Sequence, residues 1–340
     1  MVNTPLGWAA RNGHEEVVKI LLGRDDIDPN KPNEKGQTPL MLAAWNGHEG
    51  AVKILLGRSD IDPNKPDVMN QTPLLLAACN GHEVVVNMLL GRDDVNPNCS
   101  DRCGQTPLGL AAYGGHGGIV GILLGCDGIN PNEPDNSGQT PLSGATYNGH
   151  EGVVKMLLER GDINPDQPDM DERTSLWWAA HCGLEGVVEI LLRRDDVNAD
   201  KSDKYGETPL MRAAGNGHEI VVRMLLRRDD VNPNCSDECG QTPLWMAAYC
   251  GYEGIVEMLL RCDDINPDKP DNKGQTPLSR AAENGHVGVV EILLGRGDVD
   301  SNNPDNKGQT PLSCAARNGH TRVIALLRPP TAATQSTSQA

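Results

Sequence analysis

The stretch Thr38-Pro39-Leu40-Met41-Leu42-Ala43-Ala44-Trp45-Asn46-Gly47-His48-Glu49 opens a repeat of 34 residues, and its recurrence decides the fold. The repeat continues through Val52, Leu55-Leu56, Asp60-Ile61, Pro63-Asn64, Asp67 and Gln71. Thr-Pro-Leu returns at Thr4, Thr72, Thr106, Thr140, Thr208, Thr242, Thr276 and Thr310, with Thr174-Ser175-Leu176 as the altered member. Every interval is 34 residues, which gives ten repeats. Self-similarity at this period points to a solenoid, and it overrides the two or three globular domains that 340 residues would otherwise suggest.

Each feature of the repeat has a mechanical reason. Thr is a good N-cap, and Pro at the first helical position gives up an N–H that has no intrahelical partner. Leu40, Ala43 and Ala44 share one helical face at i, i+3 and i+4, and the small Ala pair lets a neighbouring helix approach closely. Asn46-Gly47 ends this helix, with Gly supplying a left-handed turn. A second helix is predicted from about His48 to Gly57, burying Val52, Leu55 and Leu56. The segment from Asp60 to Gln71 is rich in Pro, Asn, Asp and Gly and reads as a turn-forming loop. Neither short helix persists alone in water, so neighbouring repeats must stack to bury a continuous apolar seam.

This pattern resembles the ankyrin repeat, whose signature is Thr-Pro-Leu-His-x-Ala with a period near 33. The resemblance runs from Thr4 to about Arg328. It implies an all-α solenoid of ten helix–turn–helix repeats with protruding loops over residues 1–328, and a non-catalytic, monomeric frame for binding a protein. Three departures stand out. The His after Thr-Pro-Leu is absent, its place taken by residues such as Gly7, Met41, Trp177, Trp245 and Ser279. The period is one residue longer, in the Asn-Pro-Asn-Lys-Pro loop. The sixth repeat lacks the Pro, and its loop Asp169-Met170-Asp171-Glu172 lacks the Gly, which puts the geometry of that loop in question. The near-identity of repeats and their Asp-Asp-Val-Asn-Pro loops also resemble arrays in large fungal proteins, some of which follow a NACHT-type nucleotide-binding domain. That likeness implies an alternative role as the sensing or regulatory segment of a larger switch protein.

Composition narrows the function classes. Aromatic residues make up 3% of the chain and Phe is absent, so the core is built from Leu, Val, Ile and Ala. A formal charge of −17 disfavours nucleic acid and anionic membrane surfaces as partners. No apolar run approaches the roughly 20 residues of a membrane span, and no signal peptide is visible. Ten Cys in 340 residues are too dilute for a disulfide scaffold. A cytoplasmic location is expected, with the nucleus also open to such a chain.

Several groups imitate chemistry without completing it. Eight His follow Gly at one repeat position, from His14 to His320, and a helix-packing spacing of about 10 Å keeps them from sharing a metal. Cys99 and Cys103, repeated as Cys235 and Cys239, have ligand-like spacing but no evident third and fourth ligand. Asp26-Ile27-Asp28-Pro29-Asn30 copies the opening of a calcium loop, yet Lys31 and Gln37 stand where Gly and Glu are required. No phosphate loop and no nucleophile–base set rises above the repeat background. The expectation is therefore no catalytic residue, no metal and no cofactor.

Binding is expected at positions that vary on the constant frame. Immediately after the Ala pair stand Arg11, Trp45, Cys79, Tyr113, Tyr147, His181, Gly215, Tyr249, Glu283 and Arg317. At 100° per residue, Trp45 lies about 140° from the Leu40 stripe and should face outward. The resemblance places this column on the concave side. The chain has five Trp and five Tyr, and four of them sit here; aromatic and Arg side chains are the usual anchors of interfaces. The primary candidates are thus Trp45, Tyr113, Tyr147, His181 and Tyr249. Secondary candidates are Trp8 and Trp178 from a neighbouring column, and the loop tips Arg102 and Tyr205.

A longer period is also present. Asn98-Cys99-Ser100-Asp101 returns as Asn234-Cys235-Ser236-Asp237, with Cys103, Tyr113 and Cys126 matched by Cys239, Tyr249 and Cys262. The offset is four repeats, the trace of a duplicated block. The chain begins on Thr4 without a polar cap, as if continuing a longer array, and residues 329–340 read as a disordered polar tail.

Overall fold

The computed structural model describes residues 4–328, so the expected tail lies outside the described residues. Among the described residues there are twenty α-helices, paired within each repeat, and no strand. In the repeat quoted above, the first helix is Pro39–Trp45 and the second is Glu49–Leu56. Thr38 Oγ1 accepts the Met41 N–H at 3.2 Å, and every first helix carries the same Thr cap. The cap survives in the sixth repeat, where Thr174 Oγ1 accepts the Trp177 N–H at 3.2 Å although Ser175 replaces Pro.

Leu40, Ala43, Ala44, Val52 and Leu55 are buried, and Leu56 is half-buried. Their counterparts recur along the array with little exposed surface. The seam is therefore many thin layers of Leu, Val and Ala rather than one thick core.

Three hydrogen-bonded ladders stitch successive repeats. The first uses the recurrent His. His48 Nε2–H donates to the Arg11 carbonyl and His82 Nε2–H to the Trp45 carbonyl, each at 2.9 Å. The same bond joins His150 to Tyr113 at 3.0 Å and His286 to Tyr249 at 2.9 Å. The ring sits directly against the left-handed glycine of the preceding repeat. Gly47 has φ +69°, and a Cβ there would fall 2.5 Å from His82 Nδ1. Backbone angle and His packing thus both demand Gly.

The second ladder runs through the loop Asn. Asn30 Nδ2 donates to the Asp60 carbonyl at 2.6 Å, while its Oδ1 accepts the Asp62 N–H at 2.9 Å. Asn64, Asn98, Asn132 and Asn234 repeat both bonds. Asp28 Oδ1 accepts the Asn30 N–H at 2.9 Å, so the calcium-like segment is a turn closed by its own side chain.

The third ladder is a guanidinium clamp. Arg58 grips Asp60 through Nε and Nη2 at 2.8 and 2.7 Å, and its Nη1 donates to the Leu22 carbonyl at 2.7 Å. Leu22 ends the second helix of the preceding repeat, where orphan carbonyls favour a cation. Arg160 and Arg296 do the same to Leu124 and Leu260.

The chain divides into two compact units, Met1–Met170 and Asp171–Ala340. The division falls in the loop that lacks Gly. Where Gly36 and Gly104 have φ near +79°, the sixth repeat holds Glu172 at φ +63°. The third repeat also lacks Gly, with Asn70 at φ +61°. Asn tolerates this region readily, whereas a Glu there costs roughly 1–2 kcal/mol. Beside Glu172, Asp171 pairs with Arg173 and, at 2.7 Å, with Lys204 Nζ. The turn is therefore kept in both repeats, by a permissive residue in one and against a backbone cost in the other.

Candidate protein-binding face

The column after the Ala pair stands at or one residue before the end of each first helix. The His ladder grips the backbone carbonyls of Arg11, Trp45, Cys79, Tyr113, His181, Tyr249 and Glu283. At these seven positions the next repeat fixes the base from which the side chain projects. In the first unit, Trp45, Tyr113 and Tyr147 are 45%, 48% and 43% exposed, and Arg11 and Cys79 are exposed too. A recess of about 200 Å³ beside Trp45 is lined by Arg11, Lys35, Gln37, Leu42 and Asn46. Tyr113 borders a much smaller one, of about 20 Å³, together with Gly109 and Gly144. Trp8 is exposed and its ring lies 5.1 Å from that of His14.

The loop tips flank this column. Val68 N–H donates to the Lys35 carbonyl and Arg102 N–H to the Met69 carbonyl, at 3.1 and 3.0 Å. These bonds join successive loops into one edge. Val68, Met69 and Arg102 are exposed on it.

The second unit presents the same column differently. Tyr249 is exposed but stacks on buried Trp245 at 5.4 Å, with the Arg280 guanidinium 4.9 Å from its centroid. His181 is half-buried and stacks on Trp177 at 5.1 Å. Its Nδ1 accepts from Arg212 Nη2 at 3.1 Å and from Asn216 Nδ2 at 3.2 Å. With Nδ1 an acceptor, the ring proton sits on Nε2. Burial and the Arg212 charge hold its pKa below the ordinary His value, so the ring stays neutral. Trp178 is half-buried beneath the Arg173 guanidinium, 4.5 Å from its ring. Tyr205 is an exposed loop tip with Lys204 Nζ 5.0 Å over its ring.

Two groups escape a reading of the sequence. Trp177 and Trp245 stand where the family signature has His; they are buried, and each Nε1–H donates to a backbone carbonyl 3.0 Å away, of Glu207 and Gln275. Arg212 and Arg280 occupy the Trp8 column and are ion-paired to Glu207 and Glu283. The only signal for them was an Arg in an otherwise mostly apolar column.

The thiols are individually placed. Cys99 and Cys235 lie 3.1 and 3.2 Å from the cap hydroxyls of Thr72 and Thr208. Burial pushes the Cys235 thiol up to about 11, and the Cys99 thiol moves in the same direction. Neither is a ready thiolate. Among the described residues, no three His, Cys, Asp or Glu side chains gather as a metal site, and no helix is long and apolar enough to cross a membrane.

A frame of capped helix pairs with a fixed outward column defines a class of repeat protein, and comparison with known families gives it a name. The family model described as ankyrin repeats (3 copies) matches residues 2–67, 74–169, 128–200, 176–271, 222–305 and 264–337. The chain belongs to the ankyrin-repeat family. Members are generally protein–protein interaction modules and are typically non-catalytic. No curated protein matches the chain.

Proposed function

We propose that this chain is a monomeric, non-catalytic scaffold that binds a protein partner along the concave first-helix face and the adjoining loop tips. The carrying observation is the exposure of Trp45, Tyr113, Tyr147 and Tyr249, with the backbone of Trp45, Tyr113 and Tyr249 held by a His of the next repeat. Exposed aromatics cost solvation when free, and a pinned base reduces the entropy lost on binding. His181 and Trp178 add a stacked, cation-rich patch, and Trp8, Arg102 and Tyr205 add flanking contacts. The dilute cysteines fit work in the cytoplasm or nucleus.

The test is affinity capture from lysate with the wild-type chain and with Trp45, Tyr113, Tyr147 and Tyr249 all changed to Ala. Partners held by this face should disappear from the variant's capture. Their retention at unchanged affinity would rule the face out. The second reading, a regulatory segment of a larger fungal-type nucleotide-binding switch protein, is favoured by the near-identical Asp-Asp-Val-Asn-Pro loops. An in-frame nucleotide-binding domain encoded upstream would support it, and its absence would count against it.

A further inference from the structure

The recess beside Trp45 is lined by two cations, Arg11 and Lys35, and by no carboxylate. Four arginines of this unit have acidic partners, Arg24 with Asp26, Arg58 with Asp60, Arg92 with Asp94 and Arg160 with Asp162. Lys31, Lys53, Arg102 and Lys155 show no ion pair among the described residues, but none of them lines this recess. Acidic residues outnumber basic ones in the unit, so partners are plentiful. Arg11 and Lys35 nevertheless have no ion pair or side-chain hydrogen bond among the described residues, although their backbone carbonyls are engaged by His48 and Val68. Their positions are fixed and their charges are unspent.

The rest of the lining adds a hydrogen-bond donor and apolar side chains. Gln37 Oε1 accepts from Asn33 Nδ2 at 3.1 Å, which leaves the Gln37 amide NH₂ to donate. Buried Leu42 and half-exposed Trp45 supply its apolar lining. Guanidinium and carboxylate match as a two-pronged pair, and a low-polarity wall strengthens that contact. A volume of about 200 Å³ holds one side chain and its neighbouring backbone, not a folded domain edge.

We propose that this recess seats an aspartate or glutamate of the bound partner, so that the first unit selects an acidic segment. The proposal rests on the protein-binding reading above and gives it a partner chemistry. Charge complementarity carries it: the chain is acidic overall and would repel such a segment everywhere except where its cations are unpaired.

The experiment is a selection of random linear peptides displayed on phage against the full chain, followed by affinity measurements on the enriched sequences. Enriched peptides should carry Asp and Glu in excess over the starting library. Changing Arg11 and Lys35 together to Gln should weaken them about tenfold, as expected for two partly exposed ion pairs. Added salt should weaken them as well. The charge reversal Arg11→Glu with Lys35→Glu should turn the selection toward basic peptides. All these side chains are exposed, and circular dichroism checks that the variants remain folded. Enriched peptides without acidic excess, or acidic ones indifferent to Arg11 and Lys35, would overturn the proposal. If the former still lose affinity on Trp45→Ala, only the acidic preference falls. If the enriched peptides ignore Trp45, Tyr113, Tyr147 and Tyr249, the binding face itself falls. A selection that enriches nothing counts against both.

Discussion

The two units carry one architecture and treat it differently. In the first, the loop rungs Asn30, Asn64, Asn98 and Asn132 each donate and accept across to the next repeat, and the column aromatics are exposed. The first has a single Asp rung, Asp166, at its end; in the second, Asp200 and Asp268 take two of the rungs. Each still accepts a backbone N–H at 2.7 Å through Oδ2, from Asn232 and Asp300. A carboxylate cannot make the donor bond, however, and Oδ1 of both is buried without a hydrogen-bond partner among the described residues. The second unit's aromatics are in turn stacked under Arg280, Arg212 and Arg173. A repeat fixes which atoms meet its neighbour, and single substitutions then decide whether the meeting is satisfied.

What the units share should fail equally. Leu55→Ala in the first and Leu259→Ala in the second each empty a fully buried site of the seam. Each should cost about 2–5 kcal/mol, read by chemical denaturation. A large difference would mean that the two seams are not equivalent. Next in size is Gly47→Ala, which meets a left-handed φ and the His82 ring at once. It should cost about 2 kcal/mol. His82→Ala should then cost less in the Gly47→Ala background than alone, since the clash and the bond share one ring.

The Asp rungs give the sharpest contrast. Asp200→Asn and Asp268→Asn should each stabilise the second unit at neutral pH by about 1 kcal/mol, by restoring the missing donor. Asn98→Asp should destabilise the first unit comparably. Burial raises the pKa of Asp200 and Asp268, against the opposing pull of the Asn232 and Asp300 N–H groups. A raised folded-state value means that the native protein binds the proton more tightly than the unfolded chain. The penalty is therefore present above the folded pKa and lifts as pH falls toward the unfolded value of about 3.9. The gain from Asn should shrink in acid over that window, and a gain independent of pH would refute the account.

The smallest effect concerns the guanidinium clamp. Cys262, like Cys126, stands where other repeats have the clamp Arg, and at Cys262 the partner Asp264 is still in place. Cys262→Arg should add about 0.5 kcal/mol by regaining the pair and the helix-end contact. Unchanged melting would show that the clamp is decorative.

How much of this the sequence disclosed follows from range. The Thr cap, the Gly turn and the Ala pair act within a few residues, and each is readable from local chemistry. The outward projection of Trp45 follows from counting 100° per residue. The three ladders join positions 30 to 37 residues apart, and because they recur in most repeats they look like inert background. His reads as a helix-entry residue until its ring is seen on the preceding carbonyl. Burial of Trp177 and Trp245 was hidden for the opposite reason, since each is an isolated change at a position whose other occupants are small or flexible. The stacking of Arg173, Arg212 and Arg280 depends on side-chain reach, which spacing alone does not convey. Glu172 in a left-handed turn could be located from its missing Gly, but not its outcome.

The central claim is that recognition occurs on the first-helix side. Hydrogen–deuterium exchange of the chain, free and bound to a captured partner, tests it directly. Protection should appear in Pro39–Trp45, Pro107–Tyr113, Pro141–Tyr147 and Pro243–Cys250 and in the loop tips beside them. Protection confined to second helices such as Glu49–Leu56 and Glu253–Leu260 would contradict it.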